Sequence, residues 1–326
     1  MAALSVASLA ASEPARAAGP ILRRRFGHGS EYVSTLGLGG RRLGDAASAD
    51  EASNIVHEAV EGGITFFDNA WEYNDHRSEE WMGAALRGGY RDRVFLMTQV
   101  CTHGRDGTLG LQMLEESLKR LGTDRLDLWQ IHAVVYDNDP ELAYRKGGII
   151  DAMAKAKQQG KVRFVGFGGH KSPDIHLKML DGGFPFDSVQ FPINAFDAQF
   201  RSFQQTVLAE AHRRGMAVLG TKPLNGGAAL HSGDVKVTPQ EALRYAMSVP
   251  GVTTTITGME SLAVLRQNLA IVQNFKPMTK GELSDLETRV APFAADGRFE
   301  LYKTSLADDG LVTRVAHGMP LAGAQT

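Results

Sequence analysis

Cysteine is almost missing from this chain: Cys101 is the only one in 326 residues. A single thiol excludes intrachain disulfides, cysteine-type zinc clusters and iron–sulfur centres, and no metal site is expected. A buried, inert thiol is the expected state of Cys101 itself. Charge of one sign is lacking too. The net charge is −2 and the pI about 6.6, which leaves no electrostatic footprint for nucleic acid or a membrane surface. No apolar run is long enough to span a membrane. A phosphate loop of Rossmann spacing is also missing, because the first strand runs into GLGGRRLG.

The N-terminus is unusual in what it does contain. Residues 1–19 are rich in Ala and Ser, and Ala2 to Ala11 resembles the apolar part of a secretory signal. Ala15-Arg16-Ala17 resembles a cleavage site, but the basic n-region is absent. A truncated signal, an uncleaved extension and a cloning remnant all fit, the first slightly better. The expected location is cytoplasmic, or periplasmic if the segment is a truncated signal. Residues 20–326 are then one domain.

In that domain strand and helix signals alternate. Strand-like runs lie near Ser34–Gly39, Ile64–Phe67, Val94–Thr98, Leu126–Ile131, Val162–Phe167, Asp187–Phe191, Met216–Gly220 and Thr253–Thr257. Helix-like segments separate them, among them Ala49–Glu61, Thr108–Leu121, Pro173–Asp181 and Pro239–Ser248. Such alternation predicts an α/β fold, a closed (β/α)8 TIM barrel. Residues 22–35 precede the first barrel strand and suit a hairpin closing the barrel bottom. The tail after about Ala295 is expected to be mostly loop.

The most informative stretch is ITFFDNAWEYNDHRSEEWMG, residues 64–83. A buried strand ends at Asp68, and Tyr73 follows on a loop before a helix from Arg77 to Leu86. A carboxylate at a strand end with a phenol beyond it suits a barrel enzyme, whose chemistry sits at the C-terminal ends of its strands. By the same logic Gln99, His132, Gly168-Gly169-His170, Gln190, Lys222-Pro223-Leu224 and Gly258 converge on one mouth.

These segments resemble the aldo-keto reductase family from about Leu22 to Asn274. The pieces that carry the resemblance are GITFFDNAWEYNDHRSEEWMGAAL, EESLKRLGTDRLDLWQIH and the closing GMESLAVLRQNL. The resemblance implies a (β/α)8 barrel, bound NADP(H) or NAD(H), and reduction of a small aldehyde or ketone. The subgroup with GHK after the fifth strand looks bacterial and often exported. The implied catalytic set is Asp, Tyr, Lys and His. Asp68, Tyr73 and His132 match it, but Gln99 stands where the lysine belongs.

This departure has a physical consequence. The ammonium would lower the tyrosine pKa from about 10 and pair with the aspartate. A unit charge at 4 Å in an effective dielectric of about 20 is worth roughly 4 kcal/mol as an upper figure. Gln99 brings no charge, so Tyr73 should be a weaker acid and Asp68 uncompensated. Its amide can still donate a hydrogen bond to Asp68 or Tyr73, and His132 can donate to the carbonyl oxygen as a neutral group.

The resemblance also implies cofactor contacts. Gln190 matches the carboxamide-binding glutamine, whereas Gly168-Gly169 replaces a Ser-Asn pair and Ile193 replaces a stacking aromatic. Lys222, Pro223 and Leu224, followed by Gly226 and Gly227, match a pyrophosphate loop. Gly258, Met259 and Ser261 open the next helix, and Gln267 and Asn268 match an adenine-binding pair. The usual 2′-phosphate cation is absent; Glu260 and Ser261 stand there, with Arg266 as a substitute one turn on. Trp71, Tyr136 and the tail are expected near the mouth. The reading is a slow NAD(P)H-dependent carbonyl reductase. Its alternatives are a dinucleotide-binding pseudoenzyme and non-redox proton transfer on a sugar or polyol.

Overall fold

A computed structural model describes residues 19–319 apart from 232–234, 236, 307–308 and 310. The signal-like segment lies outside the described residues, but for Gly19. Chain order begins with two short strands, β1 (Arg23–Arg25) and β2 (Tyr32–Ser34), paired antiparallel as the hairpin expected before the barrel. Eight parallel strands follow: β3 (Leu36–Gly39), β4 (Phe66–Asp68), β5 (Phe95–Val100), β6 (Leu126–Ile131), β7 (Val162–Gly168), β8 (Ser188–Pro192), β9 (Ala217–Thr221) and β10 (Val252–Gly258). They close as β10-β3-β4-β5-β6-β7-β8-β9. This is the single (β/α)8 barrel the alternation predicts.

The packing follows from the patterning. Each barrel strand buries residues on both faces, one toward the barrel axis and one toward the helices. Phe66, Phe95, Met97, Leu128, Leu219 and Ile256 fill the lower barrel, with Phe26 of the hairpin packed beneath them. Phe26 and Phe95 rings lie 4.7 Å apart, so the hairpin stoppers the bottom and chemistry is confined to the other end. The helices start where polar caps allow. Ser48, Asp106 and Ser172 accept backbone N–H groups at the starts of Ala49–Glu61, Gly107–Leu121 and Pro173–Asp181.

The sequence patterning does not point to the helix that precedes the tail. A helix spans Lys280–Ala294, begun by a capping box between Thr279 and Glu282, and short helices follow at Leu301–Thr304 and Leu311–Ala316. Beyond Ala295 the described residues are mostly loop and turn, as expected, apart from those two short helices. Lys303 is fully buried and donates to Asp197 at 2.7 Å and to the Phe200 carbonyl at 2.7 Å. Among the described residues no helix is long and apolar enough to cross a membrane.

Candidate active site

Loops leave the strand ends along a continuous backbone ladder. The Trp71 N–H donates to the Gln99 carbonyl at 2.9 Å, His132 N–H to Val100, Val134 N–H to Gly168, and Gly169 N–H to Gln190. Each loop is thereby tied to a neighbouring strand, and the side chains at the mouth inherit the barrel's rigidity. They line a cavity of about 520 Å³.

Asp68, the last residue of β4, is buried at the base of this cavity. Gln99 Nε2 donates to Asp68 Oδ1 at 3.1 Å and reaches the Tyr73 hydroxyl at 3.5 Å. The amide therefore takes both contacts expected of it. Burial pushes the Asp68 carboxyl up to about 7, against the opposing pull of His132, the Gly40 N–H, Gln190 and Gln99. Tyr73 is held well above its ordinary value, first by burial and then by the acidic groups around it, Asp68, Cys101 and Glu72. A phenol so placed keeps its proton at neutral pH and is a reluctant acid.

His132 packs edge-on against Tyr73, with ring centroids 5.4 Å apart. Its Nδ1 lies 2.9 Å from Cys101 Sγ and 3.0 Å from a Glu72 carboxylate oxygen. Arg105 fixes the backbone here, donating to the carbonyls of His132 (2.8 Å) and Ala133 (2.7 Å) and pairing with Asp139 at 2.6 Å. Glu72, Cys101 and Arg105 escaped the sequence reading. Cys101 is buried as expected, but it is partnered by an imidazole rather than set in apolar surroundings. Loop residues carry no periodic signal, so nothing short of the fold brings these three to His132.

On the other side of the mouth, Gly168, Gly169, Gln190, Lys222 and Gly258 all line the cavity. Glycine at 169 is enforced, since a Cβ there would come within 2.2 Å of the Val134 carbonyl oxygen. That contact explains why no Ser-Asn pair stands in these positions. Gln190 is buried, and its side-chain carbonyl oxygen has no protein donor. Lys222 Nζ lies 4.9 Å from the centroid of the Tyr302 ring, which brings the tail to the rim. His170 also lines the cavity, and burial with Lys222 nearby pushes its pKa well down.

Other predicted positions fall away from the cavity. Pro223 is buried, Leu224 half-buried, and Gly226 and Gly227 form a turn beside it. Met259 is wholly buried in the core. Ser261 caps the helix Leu262–Gln273 by accepting the Val264 N–H at 3.3 Å. Asn268 is buried and Gln267 exposed. Two expectations need correction, those for Ile193 and for Trp71 with Tyr136. Ile193 is buried in the core, not at the cavity. Arg266 pairs with Glu58 at 2.7 Å on the surface, its side chain 63% exposed. Trp71 turns its indole N–H to Glu116 and Tyr136 is buried, so neither lines the cavity. Arg41 and Arg42, directly after β3, do line it; the sequence reading weighed them only as a failed phosphate loop.

A closed parallel barrel with Asp, Tyr and His gathered at its C-terminal mouth defines the class of protein. The chain belongs to the aldo/keto reductase family, whose profile matches residues 35–241. It is 27% identical over 308 residues to an uncharacterized oxidoreductase of Bacillus subtilis (YqkF), covering 82% of this chain and 95% of that one. It is also 27% identical over 260 residues to the methylglyoxal reductase YeaE of Escherichia coli, covering 75% and 87%. Among solved structures it resembles the holo form of an aldo-keto reductase from Bacillus halodurans. There the TM-score is 0.71 at 22% identity, with 82% of this chain and 96% of that chain covered.

Proposed function

We propose that this protein is a nicotinamide-dependent reductase of small aldehydes or ketones that works slowly, without a cation beside its tyrosine. The observation that carries this reading is the Gln99 amide, which joins Asp68 to Tyr73 in the lysine's position while supplying no charge.

The residues present fit a dinucleotide. The unpartnered Gln190 carbonyl oxygen suits a carboxamide N–H. Gly168 and Gly169 line the cavity beside it, and Lys222, Arg41 and Arg42 put positive charge around the cavity. When bound, a reduced nicotinamide supplies hydride to the carbonyl carbon. Tyr73 then gives its hydroxyl proton to the carbonyl oxygen, and an N–H of His132 hydrogen-bonds that oxygen as negative charge develops. Gln99 holds the phenol in place but offers the phenolate left behind an amide dipole rather than a full charge, so the barrier is higher than with an ammonium.

Selectivity between the two dinucleotides should be small. Ser261 and Glu260 offer no positive charge and Arg266 is engaged by Glu58. Titration of protein fluorescence with NADPH and NADH, followed by assay on a carbonyl panel, tests the whole reading. Stoichiometric binding with comparable affinities and slow oxidation of the cofactor is the expected result. Binding without turnover on any carbonyl would favour a pseudoenzyme, and binding of neither dinucleotide would remove the redox reading.

A further inference from the structure

Glu72, Cys101 and His132 have no place in the carbonyl mechanism as a group, yet they converge. One carboxylate oxygen, the thiol sulfur and Nδ1 all lie within 4.8 Å of one another. Nδ1 is 2.9 Å from the sulfur and 3.0 Å from the oxygen, and the thiol itself hydrogen-bonds Glu72. Three different elements supply them: the loop after β4, the residue after β5, and the residue after β6. The last two are fixed by the barrel, with Arg105 clamping the carbonyl of His132. The Glu72 side chain is 43% exposed at the cavity side of the group.

We propose that these three side chains form a binding site for a single divalent ion of the zinc class, facing the cavity. One oxygen, one nitrogen and one sulfur donor suit a borderline-soft ion. With bonds of about 2.0 to 2.3 Å, a tetrahedral ion holds its ligand atoms roughly 3.2 to 3.8 Å apart. From Nδ1 the oxygen must move out by a few tenths of an ångström, within reach of the Glu72 side chain, and the sulfur by about 0.6 Å, which takes small rotations of the Cys101 and His132 side chains on their fixed backbone. Three protein ligands leave a fourth position for water or substrate, the arrangement of an open zinc site. Coordination releases the Cys101 proton to solvent and places the sulfur on the ion as thiolate.

The location matters for the reaction, and this part rests on the reductase reading. An ion on Nδ1 leaves the imidazole proton on Nε2, which fixes His132 as a hydrogen-bond donor. It also sets a divalent charge beside Glu72 and Cys101, two of the acidic groups that make Tyr73 a reluctant acid, and the net gain is positive because only one proton leaves. The ion would then offset part of what Gln99 fails to supply.

Untagged full-length protein, stripped with chelator, titrated with cobalt and then zinc, and desalted, tests the site without any turnover assay. The expected result is about one ion retained per chain, with a thiolate-to-cobalt charge-transfer band in the near ultraviolet. Cys101→Ser should abolish the band, and Glu72→Gln should weaken zinc binding by at least about tenfold, both with unchanged circular dichroism. If Cys101→Ser fails to fold, Glu72→Gln alone decides, since that side chain is half exposed. Folded wild type that retains no ion overturns the site, as does retention that Glu72→Gln leaves unaltered. Zinc retention without carbonyl turnover would leave the site standing and count against the reductase reading alone.

Discussion

Two buried carboxylates sit near the rim of this barrel, and they are neutralised in opposite ways. Asp197 meets a buried ammonium, Lys303 Nζ, at 2.7 Å, and accepts further bonds from Ser202 (3.0 Å), Phe203 (3.2 Å) and Gln204 (2.9 Å). Asp68 meets amides: Gln99 at 3.1 Å, with Gln190 and the Gly40 N–H. The Asp197 cluster is a clamp that pins the tail to the loop after β8. The Asp68 cluster lies at a cavity, where an uncompensated charge is costly to keep. Buried ionisable groups are paired where they only hold structure, so an unpaired one lining a cavity marks a site for chemistry.

The largest effect should come from breaking the clamp. Lys303→Met leaves Asp197 and Glu300 buried with no cation, since Lys303 also reaches Glu300 at 2.9 Å. Loss of about 3 to 5 kcal/mol is expected, read as a fall in denaturant midpoint. A loss under about 1 kcal/mol would make the tail clamp unimportant.

Asp68 should behave in the opposite sense. Its folded-state pKa of about 7 lies above the usual 3.8, so the folded state holds its proton more tightly than the unfolded chain. The stability tied to that proton is complete below about pH 4 and falls away as pH rises to about 7. Asp68→Asn should therefore stabilise the protein by up to about 4 kcal/mol at pH 8 and very little at pH 4. Equal effects at both pH values would show that Asp68 is not perturbed.

A smaller effect is expected on the cofactor side. Lys222→Ala should weaken NADPH and NADH alike by about 1.5 to 3 kcal/mol, the range of a charge-assisted contact. Unchanged affinities for both would take Lys222 out of the pyrophosphate site.

What could be read from sequence divides along the same line. Strands, the hairpin and the four positions Asp68, Tyr73, Gln99 and His132 were legible because strand ends converge by topology alone. The amide contacts of Gln99 followed from its donor groups. The rest depended on side-chain direction. Met259 and Ile193 turn into the core, and Arg266 turns to Glu58, none of which leaves a mark in a linear pattern. The anchor of the tail was missed because Lys303, Asp197 and Glu300 are polar, where sequence reading looks for apolar periodicity. Cys101 looked inert because its partners, Glu72 and His132, are distant in sequence.

The central claim is that Gln99 preserves the geometry of the Asp68–Tyr73 pair while withholding the charge. Its most direct test is the rate of NAD(P)H oxidation by chelator-treated wild type, Gln99→Lys and Gln99→Lys/Tyr73→Phe on one carbonyl panel, with the reverse oxidation followed across pH. Gln99→Lys should speed reduction by roughly ten- to a hundredfold, about 1.4 to 2.7 kcal/mol of barrier. The reverse reaction should gain more at neutral pH, since it needs Tyr73 as a base, and Tyr73→Phe should erase both gains. A Gln99→Lys protein that folds and binds cofactor yet gains nothing on any carbonyl would contradict the account.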